Sequence, residues 1–87
     1  MFRIRETFPD TKTVYLWFDG RLSEEDMDTS RKVIGQYLDD NKKVIVNLSN
    51  LVHVGWPVRR FLGEIKDKVI LEETPEPLKH SILPFRD

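Results

Sequence analysis

The most constraining feature of this sequence is residues 44–65, where a strand pattern, a loop and a helix pattern follow one another. The first part, VIVNL at 44–48, is rich in β-branched residues and indicates a strand buried on at least one face. Pro57 suits the first turn of a helix, where its missing N–H costs no hydrogen bond. The last part has apolar residues at i, i+3, i+4 and i+7, as one stripe of a helix does: Val58, Phe61, Leu62 and Ile65. This succession predicts an α/β fold, in which such junctions often carry functional surfaces.

Length and charge exclude several classes of protein. The 87 residues are enough for one domain (1–87) with a single small core. The net charge of −1 gives no overall field toward nucleic acid or an anionic membrane. The lack of cysteine excludes disulfides, thiolate catalysis and zinc ribbons. No apolar run approaches the ~20 residues of a membrane span, and the charged start is unlike a signal peptide. We therefore expect a soluble, cytoplasmic domain without direct membrane insertion.

The segments before and after this stretch supply the other elements. Alternating residues predict strands at 2–7 and 13–18, joined as a hairpin by a turn at 8–11. Ser23 and Asp26 have the spacing of a helix-capping box, and the apolar stripe continues to about Asp40. Asn41 is a plausible left-handed stop. We expect the second helix over 57–67, a fourth strand over 69–71 and a last helical turn within 78–83.

The order of these elements, ββαβαβ, predicts a single-domain mixed β-sheet of about four strands. Right-handed crossovers would place both main helices on one face of the sheet. The opposite face would then be partly bare and would carry Tyr15, Trp17, Ile45 and Asn47. Exposed apolar patches usually mark interfaces, so Tyr15, Trp17 and Ile45 form a candidate homodimer face. The alternative is that both faces are covered.

Three segments resemble the STAS domain (sulfate transporter and anti-sigma factor antagonist domain). LWFDGRL at 16–22 is similar to a family strand followed by glycine and an Arg-Leu lead into the first helix. VIVNLSNL at 44–51 is similar to the family's central strand and the turn that follows it. Phe61 and Leu62 are similar to the apolar start of the family's second helix. The resemblance implies a STAS-like fold and a role in bacterial-type signalling. It also implies docking, through the loop before helix two, to a kinase-like anti-sigma factor or a transporter ATPase.

The sequence departs from this family at its phosphorylation switch. Family members that act as phospho-switches read roughly Asp-Ser-Ser-Gly in the loop before helix two, and a serine there is phosphorylated. The corresponding residues here are Gly55, Trp56, Pro57 and Val58. Because neither Trp56 nor Pro57 can accept a phosphate, we expect an anti-sigma-factor-antagonist-like regulator or scaffold without that switch.

The predicted partner-binding residues surround this loop: His53, Trp56, Pro57, Arg59 and Arg60. A tryptophan followed by proline is a rigid anchor for an interface. Two arginines in a first helical turn oppose the helix dipole at a cost of a few tenths of a kcal/mol each, which favours use by an acidic partner or by phosphate groups. The alternative is that Trp56 fills the edge of the core and that the arginines are solvated and pair with Glu64.

The remaining polar residues offer weaker chemistry. Neither His53 nor His80 has a second histidine at metal spacing, and we predict no metal, no cofactor and no enzyme activity. The acidic residues within 24–28 and 72–76 are explained by helix-start electrostatics and a solvated loop. Ser49 is a candidate modification site, although Asn-Leu-Ser-Asn more often forms a side-chain-stabilised turn. The second functional hypothesis is a ligand-sensing domain that binds a nucleotide or small anion at the start of helix two.

Overall fold

The computed structural model describes residues 1–72, which form a five-stranded mixed sheet with two helices. The predicted α/β class is confirmed. The predicted ββαβαβ order lacks one strand that the structure contains. This strand is formed by the two residues Leu51–Val52, which follow the central strand and pair with the sheet. In chain order the elements are β1 (Phe2–Asp10), β2 (Thr13–Arg21), α1 (Glu24–Asp39), β3 (Lys43–Asn47), β4 (Leu51–Val52), α2 (Trp56–Ile65) and β5 (Ile70–Glu72).

The hairpin of β1 and β2 has longer strands than the sequence pattern indicated. The antiparallel register runs from Phe2 opposite Gly20 and becomes irregular after Thr7. β1 continues through Pro9, which is tolerated because β1 is an edge strand and Pro9 lies at the irregularity. The predicted turn at 8–11 is therefore wrong, and the chain reverses at residues 11–12, where Asp10 Oδ1 accepts a hydrogen bond from the Lys12 N–H at 2.8 Å.

The start and end of α1 follow the sequence signals closely. Ser23 Oγ accepts a hydrogen bond from the Asp26 N–H at 3.2 Å, and Asp26 Oδ2 accepts one from the Ser23 N–H at 3.0 Å. These two bonds complete the predicted capping box. Asn41 follows the helix with a φ of 61°, so the predicted left-handed stop is also present.

β2 lies between the other strands and determines where the helices pack. β1 occupies one edge of β2, while β3 and then β4 pair in parallel along the other edge. β5 pairs in parallel with the far side of β3. Because the chain steps in one direction from β2 to β3 to β5, both crossover helices lie on the same face, as predicted. Between them and the sheet lies the core, which consists of Val14, Leu16, Phe18, Leu22, Met27, Ile34, Val44, Val46, Leu48, Leu51, Val58, Phe61, Leu62, Ile65 and Val69.

The opposite face of the sheet carries the four residues predicted to lie there, and hydrogen bonds connect some of their side chains. Tyr15, Trp17 and Ile45 are half-buried there. Asn47, which was expected on the partly bare face, is only 4% exposed. The reason is that Asn47 Nδ2 donates to the Tyr15 hydroxyl at 3.1 Å, and this hydroxyl also bonds Glu72.

Some predictions fall on the part of the chain that is not described. The last helical turn expected within 78–83, His80 and the acidic residues after position 72 lie outside residues 1–72. Within the described range, neither helix is long and apolar enough to cross a membrane.

Candidate functional site

The predicted partner-binding residues meet at one end of the sheet, which we call the β4–α2 corner: His53, Trp56, Pro57, Arg59 and Arg60. Trp56 is the first residue of α2, and 65% of its surface is exposed. His53, Pro57 and Arg60 are also exposed, whereas Arg59 is half-buried. The alternative in which Trp56 fills the edge of the core is therefore wrong. The apolar stripe of α2 already fills that space with Val58, Phe61 and Leu62.

The local sequence explains why this corner has its shape. His53 has a φ of 54°, a left-handed conformation that is uncommon for a residue other than glycine and that reverses the chain after β4. Gly55 is the N-cap of α2 in an extended conformation, and Pro57 fixes the backbone of the first turn. The start of α2 has no side-chain cap and no acidic residue, in contrast to the capping box and three acidic residues of α1.

The two arginines of the corner have no counter-ion in the described part of the chain. Neither Arg59 nor Arg60 forms an ion pair with any of residues 1–72. Arg59 Nε is buried and has no hydrogen-bond partner there. The expected alternative pairing with Glu64 is wrong, because Arg31 of α1 holds Glu64 at 2.9 Å and 3.1 Å. A positive charge at the start of a helix therefore stands without local compensation.

A groove between α1 and α2 opens beside the β4–α2 corner. This inter-helix groove has two lobes of about 340 Å³ and 290 Å³, which share Glu24, Met27 and Pro57 in their walls. The larger lobe continues along the helices past Arg60 and Phe61. The smaller lobe lies at the starts of both helices and is lined further by Arg21, Leu22, Ser23, His53, Gly55 and Val58. Trp56 itself lines neither lobe, but the next residue, Pro57, lines both.

Arg31 forms ion pairs with two of the carboxylates that line the larger lobe, Asp28 and Glu64. Besides Glu64, it binds Asp28, with its Nη1 at 2.8 Å from Asp28 Oδ1. The hydrogen bonds from Arg31 hold the pKa of Glu64 below its ordinary value, with a further contribution from the charge of Arg31. Glu64 is therefore ionised and paired at neutral pH. The guanidinium also lies 5.1 Å from the centre of the Phe61 ring.

The described residues offer little reactive chemistry. Ser49 is exposed, and its hydroxyl donates to Asn47 Oδ1 at 2.7 Å, so the side-chain-stabilised turn is present. An amide oxygen cannot take the proton of a serine, so this contact does not activate the hydroxyl. No group of three or more metal-binding side chains occurs within residues 1–72. Modification of Ser49 stays a prediction.

Comparison with known proteins supports the fold and goes no further. No protein-family model and no curated protein matches the chain. Several solved chains are similar, and one of them is named "Crystal Structure Analysis of Mglu", with a TM-score of 0.63 and 19% sequence identity. The likeness covers 83% of this chain but only 19% of that chain, so this chain spans about a fifth of its length. The fold class is therefore a small mixed α/β domain.

The groove and its charge network were missed by sequence reasoning. The Asp28–Arg31 pair has i, i+3 spacing, a signal that the sequence does contain. Arg31 and Glu64 are 33 residues apart, and no local pattern links them. Their meeting depends on the two helices lying side by side.

Proposed function

We propose that this protein is a non-catalytic, STAS-like regulatory or scaffolding module that binds a protein partner through the β4–α2 corner. The observation that carries the proposal is the 65% exposure of Trp56 at the start of α2, directly before Pro57. Tryptophan is enriched among the residues that dominate binding energy in interfaces. A large exposed ring beside a concave surface is typical of a contact site.

The rigidity of the corner supports the same proposal. Pro57 restricts the backbone next to Trp56, and α2 is anchored to the core by Val58, Phe61 and Leu62. A surface that is already ordered loses little conformational entropy on association. The corner can therefore bind without a large rearrangement.

The resemblance to STAS domains suggests the kind of partner. We propose a kinase-like anti-sigma factor or a transporter ATPase, in the cytoplasm. Because Trp56 and Pro57 replace the residues of the phosphorylation switch, docking would not be controlled by phosphate at this loop. A homodimer through Tyr15, Trp17 and Ile45 is a separate prediction and uses the other face of the sheet.

Affinity capture from the native cell tests the proposal with three variants. Trp56→Ala and Arg59→Glu/Arg60→Glu should fold as the wild type does and lose the partner. Lys12→Glu/Lys43→Glu carries the same charge change at the amino end of β2 and β3, away from the corner, and should keep it. Equal recovery of the partner by all three variants would contradict the proposed surface.

A second candidate function rests on the same helix start. The uncapped start of α2 and the unpartnered Nε of Arg59 favour a small anion or a nucleotide phosphate at this position. A ligand that binds only the folded protein raises the melting temperature. A thermal-shift series with inorganic phosphate, ATP and GTP therefore separates the two candidates. A shift that is abolished by Arg59→Gln would favour ligand sensing.

A further inference from the structure

β1 is an edge strand whose outer side has no partner strand among the described residues. Within residues 1–72 it pairs only with β2. A strand directs its N–H and C=O groups to alternate sides, so about half of those in β1 face away from β2. Such an unpaired edge is a template on which another strand can be added.

The direction of two neighbouring hydrogen bonds shows which residues of β1 face outward. The Arg21 N–H donates to the carbonyl of Met1, on the β1 side. The Gly20 N–H instead donates to the carbonyl of Asn50, on the β4 side. Alternation therefore assigns the hydrogen bonds with β2 to the odd-numbered residues of β1 and the outward groups to the even-numbered ones. The outward N–H and C=O groups are those of Phe2, Ile4 and Glu6.

A row of incompletely covered apolar side chains follows the same edge. Phe2 and Ile4 are half-buried and pack against the core from its margin. Phe8 is 55% exposed, and its ring centre lies 6.0 Å from that of Tyr37 on α1. Val33, one turn before Tyr37, is also half-buried. An added strand would remove part of this apolar surface from water.

The charges of β1 disfavour a second copy of the same strand at this edge. A twofold axis would pair β1 with itself in antiparallel fashion, so that each residue lies opposite one on the same face. Registers centred on residues 3, 4 and 5 would place Arg3 or Arg5 opposite another arginine, and a register centred on residue 6 would place Glu6 opposite Glu6. Like charges directly opposite each other destabilise a strand pair. Pairing further along β1 is prevented by Pro9 and by the irregular register after Thr7.

Arg3 gives the edge a preference for a carboxylate on the added strand. Its cross-strand neighbour Asp19 is already bound by Arg5 at 2.6 Å and 3.2 Å and by Asn50 at 2.9 Å. Arg3 is exposed and forms no ion pair with the described part of the chain. Two arginines thus share one carboxylate at this end of β1. An acidic residue opposite Arg3 would compensate the second positive charge.

We propose that β1 accepts an extended segment of another protein as an additional edge strand, with alternate apolar side chains toward α1 and a carboxylate opposite Arg3. This surface lies on the other edge of β2 from β4, so the inference does not depend on the β4–α2 corner. Main-chain hydrogen bonds would supply affinity, and the alternating side chains would supply specificity. A helical segment cannot take this place, because its own N–H and C=O groups are already paired.

Selection from a random peptide library displayed on phage, with the whole protein as bait, supplies the probes. We expect the selected peptides to alternate apolar and polar residues and to include an acidic one. In amide NMR, binding should slow hydrogen exchange at Phe2, Ile4 and Glu6. Exchange at Arg3 and Arg5, which are already bonded to β2, should not change. Methylation of the peptide nitrogens that face β1 should lower the affinity at least about tenfold.

Two substitutions at one residue isolate the hydrogen bond to the added strand. Glu6→Pro removes an outward N–H, whereas Glu6→Ala removes the same side chain and keeps this N–H. We expect the proline variant to bind the selected peptides at least about tenfold more weakly than the alanine variant. Arg3→Glu should also weaken binding, while Lys32→Glu, the same charge change at an exposed position of α1, should not. Circular dichroism verifies the fold, and should Glu6→Pro not fold, the methylated peptides and Arg3→Glu provide the same test.

The expected results keep the β1 edge distinct from the β4–α2 corner. Binding at β1 should be unchanged in Trp56→Ala. Peptides that bind equally well after methylation, or that are lost in Trp56→Ala but bind Glu6→Pro as they bind Glu6→Ala, would overturn the added strand without refuting the corner. Failure to select any alternating peptide would overturn it too. A dimer of the protein alone that is abolished by Glu6→Pro would show a second copy at β1 and would refute the proposed partner.

Discussion

Arg31 of α1 and Glu64 of α2 form a two-point ion pair between the helices, with Nε to Oε2 at 2.9 Å and Nη2 to Oε1 at 3.1 Å. Both side chains are substantially exposed, at 41% and 47%, so the pair contributes no more than about 1 kcal/mol to stability. Its larger consequence is electrostatic. The pair neutralises the charge of a carboxylate, Glu64, that lines the inter-helix groove beside the β4–α2 corner.

The first prediction concerns the titration of Glu64. Arg31→Gln should raise the pKa of Glu64 toward its ordinary value of 4.5, because the lowered pKa in the folded protein comes first from the Arg31 hydrogen bond. A carboxylate with a lowered folded pKa stabilises the fold above its unfolded pKa, and this contribution is lost as pH falls through the folded pKa. The stability difference between wild type and variant should therefore shrink below about pH 4.5. Carboxyl NMR titration of Glu64 checks the shift, and an unchanged titration would contradict the pairing.

The second prediction concerns Ser30 within α1 and Ser23, the N-cap of α1, which affect stability in opposite directions. Ser30 is fully buried, and its Oγ has no hydrogen-bond partner within residues 1–72. Ser30→Ala removes this uncompensated hydroxyl and should raise the free energy of unfolding by about 1 kcal/mol. Ser23→Ala removes the capping box and should lower it by about 1 kcal/mol. Urea denaturation of both variants provides the comparison, and equal destabilisation would contradict this assignment.

The third prediction concerns glycine. Gly20 has a φ of 99°, and a Cβ there would lie 2.1 Å from the Met1 carbonyl oxygen. Gly20→Ala should therefore destabilise the hairpin end by at least about 2 kcal/mol. Gly63 lies within α2, where a Cβ meets nothing within 4 Å. Gly63→Ala should instead stabilise the protein by up to about 1 kcal/mol. Thermal unfolding measures both changes, and a neutral Gly20→Ala would refute the close approach of residue 1.

The fourth prediction separates exposed from buried aromatic residues on α2. Trp56→Ala should change the free energy of unfolding by no more than about 0.5 kcal/mol, because the ring is 65% exposed. Phe61→Ala, five positions later and 1% exposed, should cost about 3–5 kcal/mol through cavity formation. Chemical denaturation distinguishes the two. A large loss of stability in Trp56→Ala would show that the indole supports the fold.

Local patterns predicted the elements of this fold better than their connections. The helical stripe of α2 and the capping box of α1 were readable because neighbours in sequence determine both features. β4 was not recognised as a strand, because two residues have no periodicity and Leu51–Val52 is a strand only through its pairing with β2. The predicted ends of the helices and strands differ from the observed ends by one to three residues, as is usual for the boundaries of such elements.

The site was predicted in its position but not in its shape. The sequence indicated the exposed corner through Trp56, Pro57 and the arginines of the first turn. It gave no sign of the groove, because Met27 and Phe61 come together only when α1 and α2 pack side by side. The pairing of Glu64 could not be read either, since charge alone does not choose between Arg31 and the nearer Arg60.

Backbone hydrogen exchange of the protein, alone and with its captured partner, tests the central claim most directly. We expect slower exchange at residues 53–60 and at the start of α1 when the partner is bound. We expect no change at the strand residues around Tyr15 and Ile45. Protection confined to that opposite face of the sheet, with residues 53–60 exchanging as in the free protein, would contradict docking at the β4–α2 corner.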